Sequence, residues 1–545
     1  MGVTSGGRVP LGRLRAASRD GGAIELRAST AAWIAAVPCA LLTYLAVRAV
    51  GPWLGDQIYP AHPTFHFLGG PSDPKANAAE VGPFLVSLAG PIVLALAIVA
   101  LTRRPLTLPR AAVVGVTAVV QLLLVVVVAA CLDGEHRPEG GFNYFSTRTL
   151  VVSTALAVLL LGASQSVRAR RLFAAHARED RRVRLAIAGL ALAATVSWLL
   201  PAVQTDHSVV DAIDVTQYHM AFYLDETFAV LNGLTPLVNF TPQYGSVWPY
   251  LVSLPLLVLG KTLLVFTAAM TTATTLALLA AFGVLRRVTR NSLAALLLFV
   301  PFLATTLYPI GETPEKLVSL ATFFAFYPLR YAGPLIVAWL TARHLGTPKR
   351  RRAWPLFAVA GIVAINNTDM GVAAVGATLA AFLWTDWPRN RAQVIARAAD
   401  VVGGLLLAVA LVSTVTLVRS GSLPHFDQLT EFARIFGLNS ISAVPMPGIR
   451  SLILLVYGTF AAAIATATAL AIGRRRDPVL IGMLAWIGVY GLGSAIYYVA
   501  RDVLVTSFAA WALAIALLAV AAFRSLDGAG PLYRRAVPAL VVFFG

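Results

Sequence analysis

Apolar runs of about twenty residues recur along nearly the whole chain, and each matches a hydrocarbon core roughly 30 Å thick. Thr30–Val50, Thr262–Leu285 and 503–523 are three such runs. Runs of this length argue against a soluble multidomain chain and read as spans of one polytopic unit. With 58% hydrophobic and only 12% charged residues, the expected class is an all-α polytopic membrane protein of about 12–14 transmembrane helices. No interval between runs is long enough for a separate soluble domain.

The formal charge of +18 has to be read by position, because Lys and Arg are retained in short cytoplasmic loops. Seven arginines fall between Arg168 and Arg184, and further clusters stand at Arg286–Arg290, Lys349–Arg352, Arg389–Arg397 and Arg474–Arg476. Threading the chain so that these lie inside puts most of the 43 Lys and Arg residues on one side of a self-consistent multi-pass layout. The basic residues therefore set topology and meet anionic lipid headgroups, and nucleic acid is not an expected partner. Cys39 and Cys131 lie in or at the end of apolar runs and read as buried thiols.

Residues 1–29, with five arginines, read as a disordered basic cytoplasmic leader, and 30–184 as N-terminal transmembrane helices. His62 and His66 lie four apart, but Pro60 and Pro63 oppose the helix that would align them on a metal. Residues 185–523 form the main membrane module, and 524–545 a C-terminal tail whose run AVPALVVFFG either is truncated or dips into the membrane. The layout places the N-terminus in the cytoplasm and the plasma membrane as the location. The span over 185–203 runs outward and delivers 204–261 to the extracytoplasmic side.

That stretch holds Asp206, His207, Asp211, Asp214, His219, Asp225 and Glu226, an unusual concentration of ionisable groups here. On one helix over 209–229, Asp211, Asp214, Tyr218 and Asp225 would share a face. Asp214 and Asp225 would then stand about 16 Å apart along it, too far to act on one atom. LVNFTPQYG, with Gly245 at a turn, reads as an extended loop, and 247–260 as an interfacial helix too short to cross. The segment 262–285 is the inward span. Further on, 292–309 emerges at GETPEK, which carries Glu312 and Glu315. The beginning of 317–342, with Arg330, is expected at the outer interface. INNTDMG separates two short apolar pieces, so Asn366, Asn367 and Asp369 would be costly at membrane depth unless they serve a site.

An acidic site beside an outer membrane surface suits transfer of a sugar from a polyprenyl phosphate. The donor already carries a good leaving group, so the enzyme needs a carboxylate to take the acceptor hydroxyl's proton. It also needs cationic or metal help for the released phosphate. Asp214, Asp225 and Glu226 are the candidate catalytic acids, with Glu312 and Glu315 as second acids. Arg330 and Arg501 are the candidates for the phosphate. Asp211, His219, Gln243, Tyr244, Asn366, Asn367, Asp369 and Tyr498 are the remaining candidate substrate contacts.

The stretch YHMAFYLDETFAVLNGLTPLVNFTPQYG, with the later FYPLRYAGP, INNTDMG and YYVARD, resembles the GT-C superfamily of polyprenyl-phosphate-dependent membrane glycosyltransferases over roughly 185–523. The resemblance implies a GT-C-like bundle with extracytoplasmic interfacial helices. It implies a catalytic acid early in the first large outer loop, a second acid in a later one, and an arginine on the lipid phosphate. The donor would be a polyprenyl-phosphate sugar and the acceptor a glycan, lipid or protein of the cell envelope. No cofactor is required by the motifs, and Mg or Mn is the divalent metal such chemistry admits. Three rival readings use the same features: a transporter or lipid flippase, a lipid-diphosphate-dependent glycan ligase or polymerase, and a non-catalytic envelope scaffold.

Overall fold

A computed structural model describes residues 179–203, 215–307, 309–310, 318–347, 352–386, 390–433, 453–472, 477–495 and 507–525, with short pieces at 23–25, 66–67, 70–71, 89–93, 95–97 and 107–109. The frame is helical. In chain order it comprises α1 (Arg181–Leu199), α2 (Val215–Leu231), α3 (Trp248–Leu259), α4 (Leu263–Thr289), α5 (Ser292–Thr306), α6 (Ala332–Leu345), α7 (Trp354–Asn366) and α8 (Thr368–Thr385). It continues with α9 (Arg391–Ser420), α10 (Ile453–Ile472), α11 (Pro478–Ser494) and α12 (Phe508–Ser525). Strand structure among the described residues is confined to three antiparallel ladders of two or three residues per strand. One of them pairs His66–Phe67 with Gly70–Pro71, so His66 is extended.

Four helices among the described residues, α1 with its 3-10 extension to Ala202, α4, α8 and α9, are long and apolar enough to cross a membrane. Their ends are marked by residues that satisfy orphan backbone groups. Thr262 caps α4, Asn291 caps α5, Asn367 caps α8, Asn390 caps α9 and Asp477 caps α11, each accepting from a backbone N–H in the first turn. Gly421 ends α9 with φ of 74°, the left-handed conformation that favours glycine.

α8, α10, α11 and α12 form the densest part of the bundle, with α4, α5 and α6 packed around them. Here there is no water to compete for polar groups, so the sequence uses indole–hydroxyl pairs. Trp384 donates to Thr468 Oγ1 at 2.8 Å, Trp486 to Thr378 Oγ1 at 3.2 Å and Trp511 to Thr459 Oγ1 at 3.0 Å. Thr468 and Thr378 each donate in turn to a carbonyl one turn back, so each hydroxyl is used in both senses.

One end of this bundle is tied by charge. Arg524 reaches Asp477 and the carbonyls of Val288 and Thr289, Arg290 pairs with the same Asp477, and Glu179 accepts from Ser292. α4 is 27 residues long, so its Leu263 end lies roughly 40 Å from this cluster. That far end is where α2, α3 and the INNTDMG break come together.

The first part of 317–342 is enclosed by protein: Phe324, Tyr327, Leu329, Arg330 and Tyr331 are all buried, in a turn-rich segment with a cis Tyr327–Pro328 bond. Irregular backbone is tolerated in such a bundle where protein surrounds it. Of the helix considered over 209–229, the described part is α2, Val215–Leu231, and 209–214 lie outside the described residues. α3 is 12 residues long, about 18 Å, and it leaves Leu251, Leu254, Leu257, Val258 and Leu259 exposed while Val252 and Leu256 face the core. Cys39, Cys131 and most of 30–184 lie outside the described residues.

Candidate functional site

The QYGS turn between α2 and α3 is held from both sides. On one side Asn366, the last residue of α7, accepts at Oδ1 from the N–H groups of Val247 (2.9 Å) and Trp248 (3.0 Å). α3 has no side-chain cap from its own flank, so a carboxamide 118 residues away in sequence fills that role. The Asn366 carbonyl also accepts from Ser246 N at 3.0 Å, and Ser246 Oγ donates to Ile365 O at 2.8 Å. Asn367 donates from Nδ2 to Tyr244 O at 3.0 Å while its Oδ1 caps α8 through Met370 N at 3.1 Å. Gly245 is required by this closeness: a Cβ there would lie 2.8 Å from Asn366 Oδ1 and 3.0 Å from its carbonyl oxygen.

On the other side stands α2. Gln243 N donates to Glu226 Oε1 at 2.6 Å. The Glu226 side chain is half-buried, and burial pushes its carboxyl from the usual 4.5 up to about 8, against the opposing pull of the Gln243 and Tyr244 N–H groups and with a further push from neighbouring Asp225. Asp225 itself is exposed. One helical turn earlier, Tyr223 packs edge-on against Tyr244 at 5.7 Å and stacks with Phe266 of α4 at 6.3 Å. The Arg330 guanidinium lies over the Tyr244 ring at 4.7 Å and donates to Ala325 O at 2.9 Å. It is only 5% exposed, so its charge is held inside the protein and not at a lipid surface.

Beside the turn is a small cleft, about 40 Å³ in volume, lined by Leu237, by Pro242–Ser246, by Asn366–Asp369 and by Gln428, Leu429 and Phe432. Its third wall is the 3-10 segment Phe426–Thr430 and the turn after it. That wall is fastened by His425 N to Leu237 O at 2.8 Å, by Thr368 Oγ1 to Leu429 O at 3.2 Å and by Thr241 Oγ1 to Glu431 Oε2 at 3.0 Å. The residues of this wall, 425–432, were not among the candidates read from the sequence. The available signal was the polar run DQLTE at 427–431, which stands out in an apolar chain.

Of the residues singled out from the sequence, Asp225, Glu226, Gln243, Tyr244, Arg330, Asn366, Asn367 and Asp369 are brought to this end of the bundle. The amide groups of Asn366 and Asn367 are occupied in holding the turn, which accounts for polar residues at the α7–α8 break without a ligand. His219 lies in α2, with its side chain outside the described residues. Asp211, Asp214, Glu312, Glu315, Tyr498 and Arg501 are also outside them. Among the described residues no three of His, Cys, Asp or Glu come together, a smaller donor set than a divalent cation usually takes. No protein-family model, curated protein or solved structure matches the chain.

Proposed function

We propose that the protein is an integral membrane glycosyltransferase of the GT-C kind, moving a sugar from a polyprenyl-phosphate donor to an extracytoplasmic cell-envelope acceptor. The observation that carries this reading is the Glu226 carboxyl, whose pKa is raised to about 8 where it touches a rigidly held turn next to a polar cleft. A carboxyl tuned toward neutrality is suited to proton transfer. The acceptor hydroxyl attacks the anomeric carbon, the bond from that carbon to the phosphate oxygen breaks, and polyprenyl phosphate leaves with the electron pair. Glu226 receives the hydroxyl proton. The apolar exposed face of α3 fits contact with membrane lipid, and the Arg and Lys clusters fit an inside location for the opposite end.

The test is turnover by the purified full chain with a panel of polyprenyl-phosphate sugars. Wild type should transfer sugar, and Glu226→Gln should lose about 10²–10⁴-fold in kcat. Full turnover in both Glu226→Gln and Asp225→Asn would remove the site assignment, and no turnover with any donor would remove the reading itself.

A further inference from the structure

The cleft beside the QYGS turn has a consistent chemical character. Its polar side chains are the carboxamides of Gln243, Asn366, Asn367 and Gln428, the Thr368 and Ser246 hydroxyls and the Asp369 carboxylate, and its described lining holds no Lys, Arg or His. Gln428 Oε1 is buried and accepts no hydrogen bond among the described residues. A buried amide oxygen left without a donor costs about 1–3 kcal/mol, so a ligand or water that donates to it is favoured. An anion would find no cationic side chain in this lining, because the Arg330 guanidinium is buried against Tyr244 and is not among the lining residues. A bare divalent cation would find one carboxylate, fewer than hard cations usually recruit. A hydroxyl group matches best: it donates to an amide or carboxylate oxygen and accepts from an amide N–H.

We infer that this cleft is a subsite for the hydroxyl edge of a glycan, with Gln428 Oε1 and Asp369 as acceptors and the aromatic side chains of Tyr244 and Phe432 as walls. At about 40 Å³ it has room for roughly two or three waters, hence for one hydroxyl-bearing edge of a ring and not the whole sugar. Under the glycosyltransferase reading this divides the site: the acceptor glycan is held here, beside Glu226, and the donor phosphate is held elsewhere.

The test measures binding and does not depend on turnover. Detergent-solubilised full chain is titrated with methyl pentosides and methyl hexosides, with methyl phosphate and methylammonium as competing chemistries, using saturation-transfer NMR. Wild type should bind at least one methyl glycoside and neither competitor. Gln428→Leu and Asp369→Ala should each weaken that binding about fivefold or more, and Gln428→Glu, which keeps an acceptor oxygen, should restore most of it. Each variant is first checked for an unchanged elution profile, and if Gln428→Leu fails to fold, Asp369→Ala decides. Equal glycoside binding in wild type and the folded acceptor variants would overturn the subsite, as would preferential binding of methyl phosphate or methylammonium. Glycoside binding that follows these variants in a protein with no turnover would keep the subsite and remove only the glycosyltransferase reading.

Discussion

Glu226 illustrates how one side chain links local geometry to pH. Its folded-state pKa is raised from 4.5 to about 8, so the folded protein holds a proton that the unfolded chain releases between those values. The contribution to stability is fully present below pH 4.5 and declines as pH rises toward 8. Between pH 6 and 9 wild type should therefore lose more thermal stability than Glu226→Gln, which cannot ionise; parallel melting curves across that range would contradict the raised pKa. Activity should move the other way. A general base works when deprotonated, so kcat/KM for the free enzyme should climb with pH and reach half its plateau near pH 8, and the step should vanish in the variant. The acid was visible in the sequence as one of a cluster. Its setting was not, because the N–H that meets it, that of Gln243, stands 17 residues away across a helix end and a turn.

At the scale of elements, the longest apolar segments were legible to within a few residues. The expected span over 262–285 is α4, Leu263–Thr289, and the short 247–260 helix is α3, Trp248–Leu259. The INNTDMG break between α7 and α8 was legible too, since polar residues interrupt an apolar run there. The backbone of 318–331 was not legible, because Phe, Leu and Tyr residues look the same whether a buried segment is helical or a chain of turns. Nor could any local pattern show that Asn366 caps α3, because that bond joins residues 118 and 119 positions apart. This capping predicts a specific loss. Asn366→Leu strands the Val247 and Trp248 N–H groups at about 1–3 kcal/mol, and hydrogen exchange at the start of α3 should accelerate while α11 stays protected. Asn366→Asp keeps the acceptor and should hold those amides. Gly371 gives a second test of the same break, since a Cβ there would lie 2.4 Å from Ala364 Cα and 2.5 Å from Val363 O. Two backbones meet, and neither can yield as a side chain would, so Gly371→Ala should destabilise by more than about 1 kcal/mol, read as a lower melting temperature.

Over the whole molecule, a long axis separates a cationic end from the end that carries the cleft. α9 follows that axis. It begins at Arg391, whose neighbour Arg397 pairs with Asp386 and Asp400, and it ends where Arg419 donates to Val230 O of α2 and lies over the Tyr250 ring of α3 at 5.4 Å. At 30 residues it is about 45 Å long, enough to cross a hydrocarbon core of roughly 30 Å with both ends in headgroups or water. Much of its flank is apolar and uncovered by protein, including Val402, Leu406 and Val415, as a lipid-facing helix requires. On the proposed reading the end rich in Lys and Arg belongs inside, and the cleft would then open on the outer side, where a lipid-linked donor and an envelope acceptor could meet. A single helix tests this. With Cys39 and Cys131 replaced by serine, Ala392→Cys and Ser422→Cys place one exposed thiol at each end of α9. In intact cells a membrane-impermeant maleimide should label the position 422 thiol and leave position 392 unlabelled until the membrane is opened. The reverse pattern would put the cleft in the cytoplasm, and labelling of both thiols in sealed cells would mean that α9 does not cross.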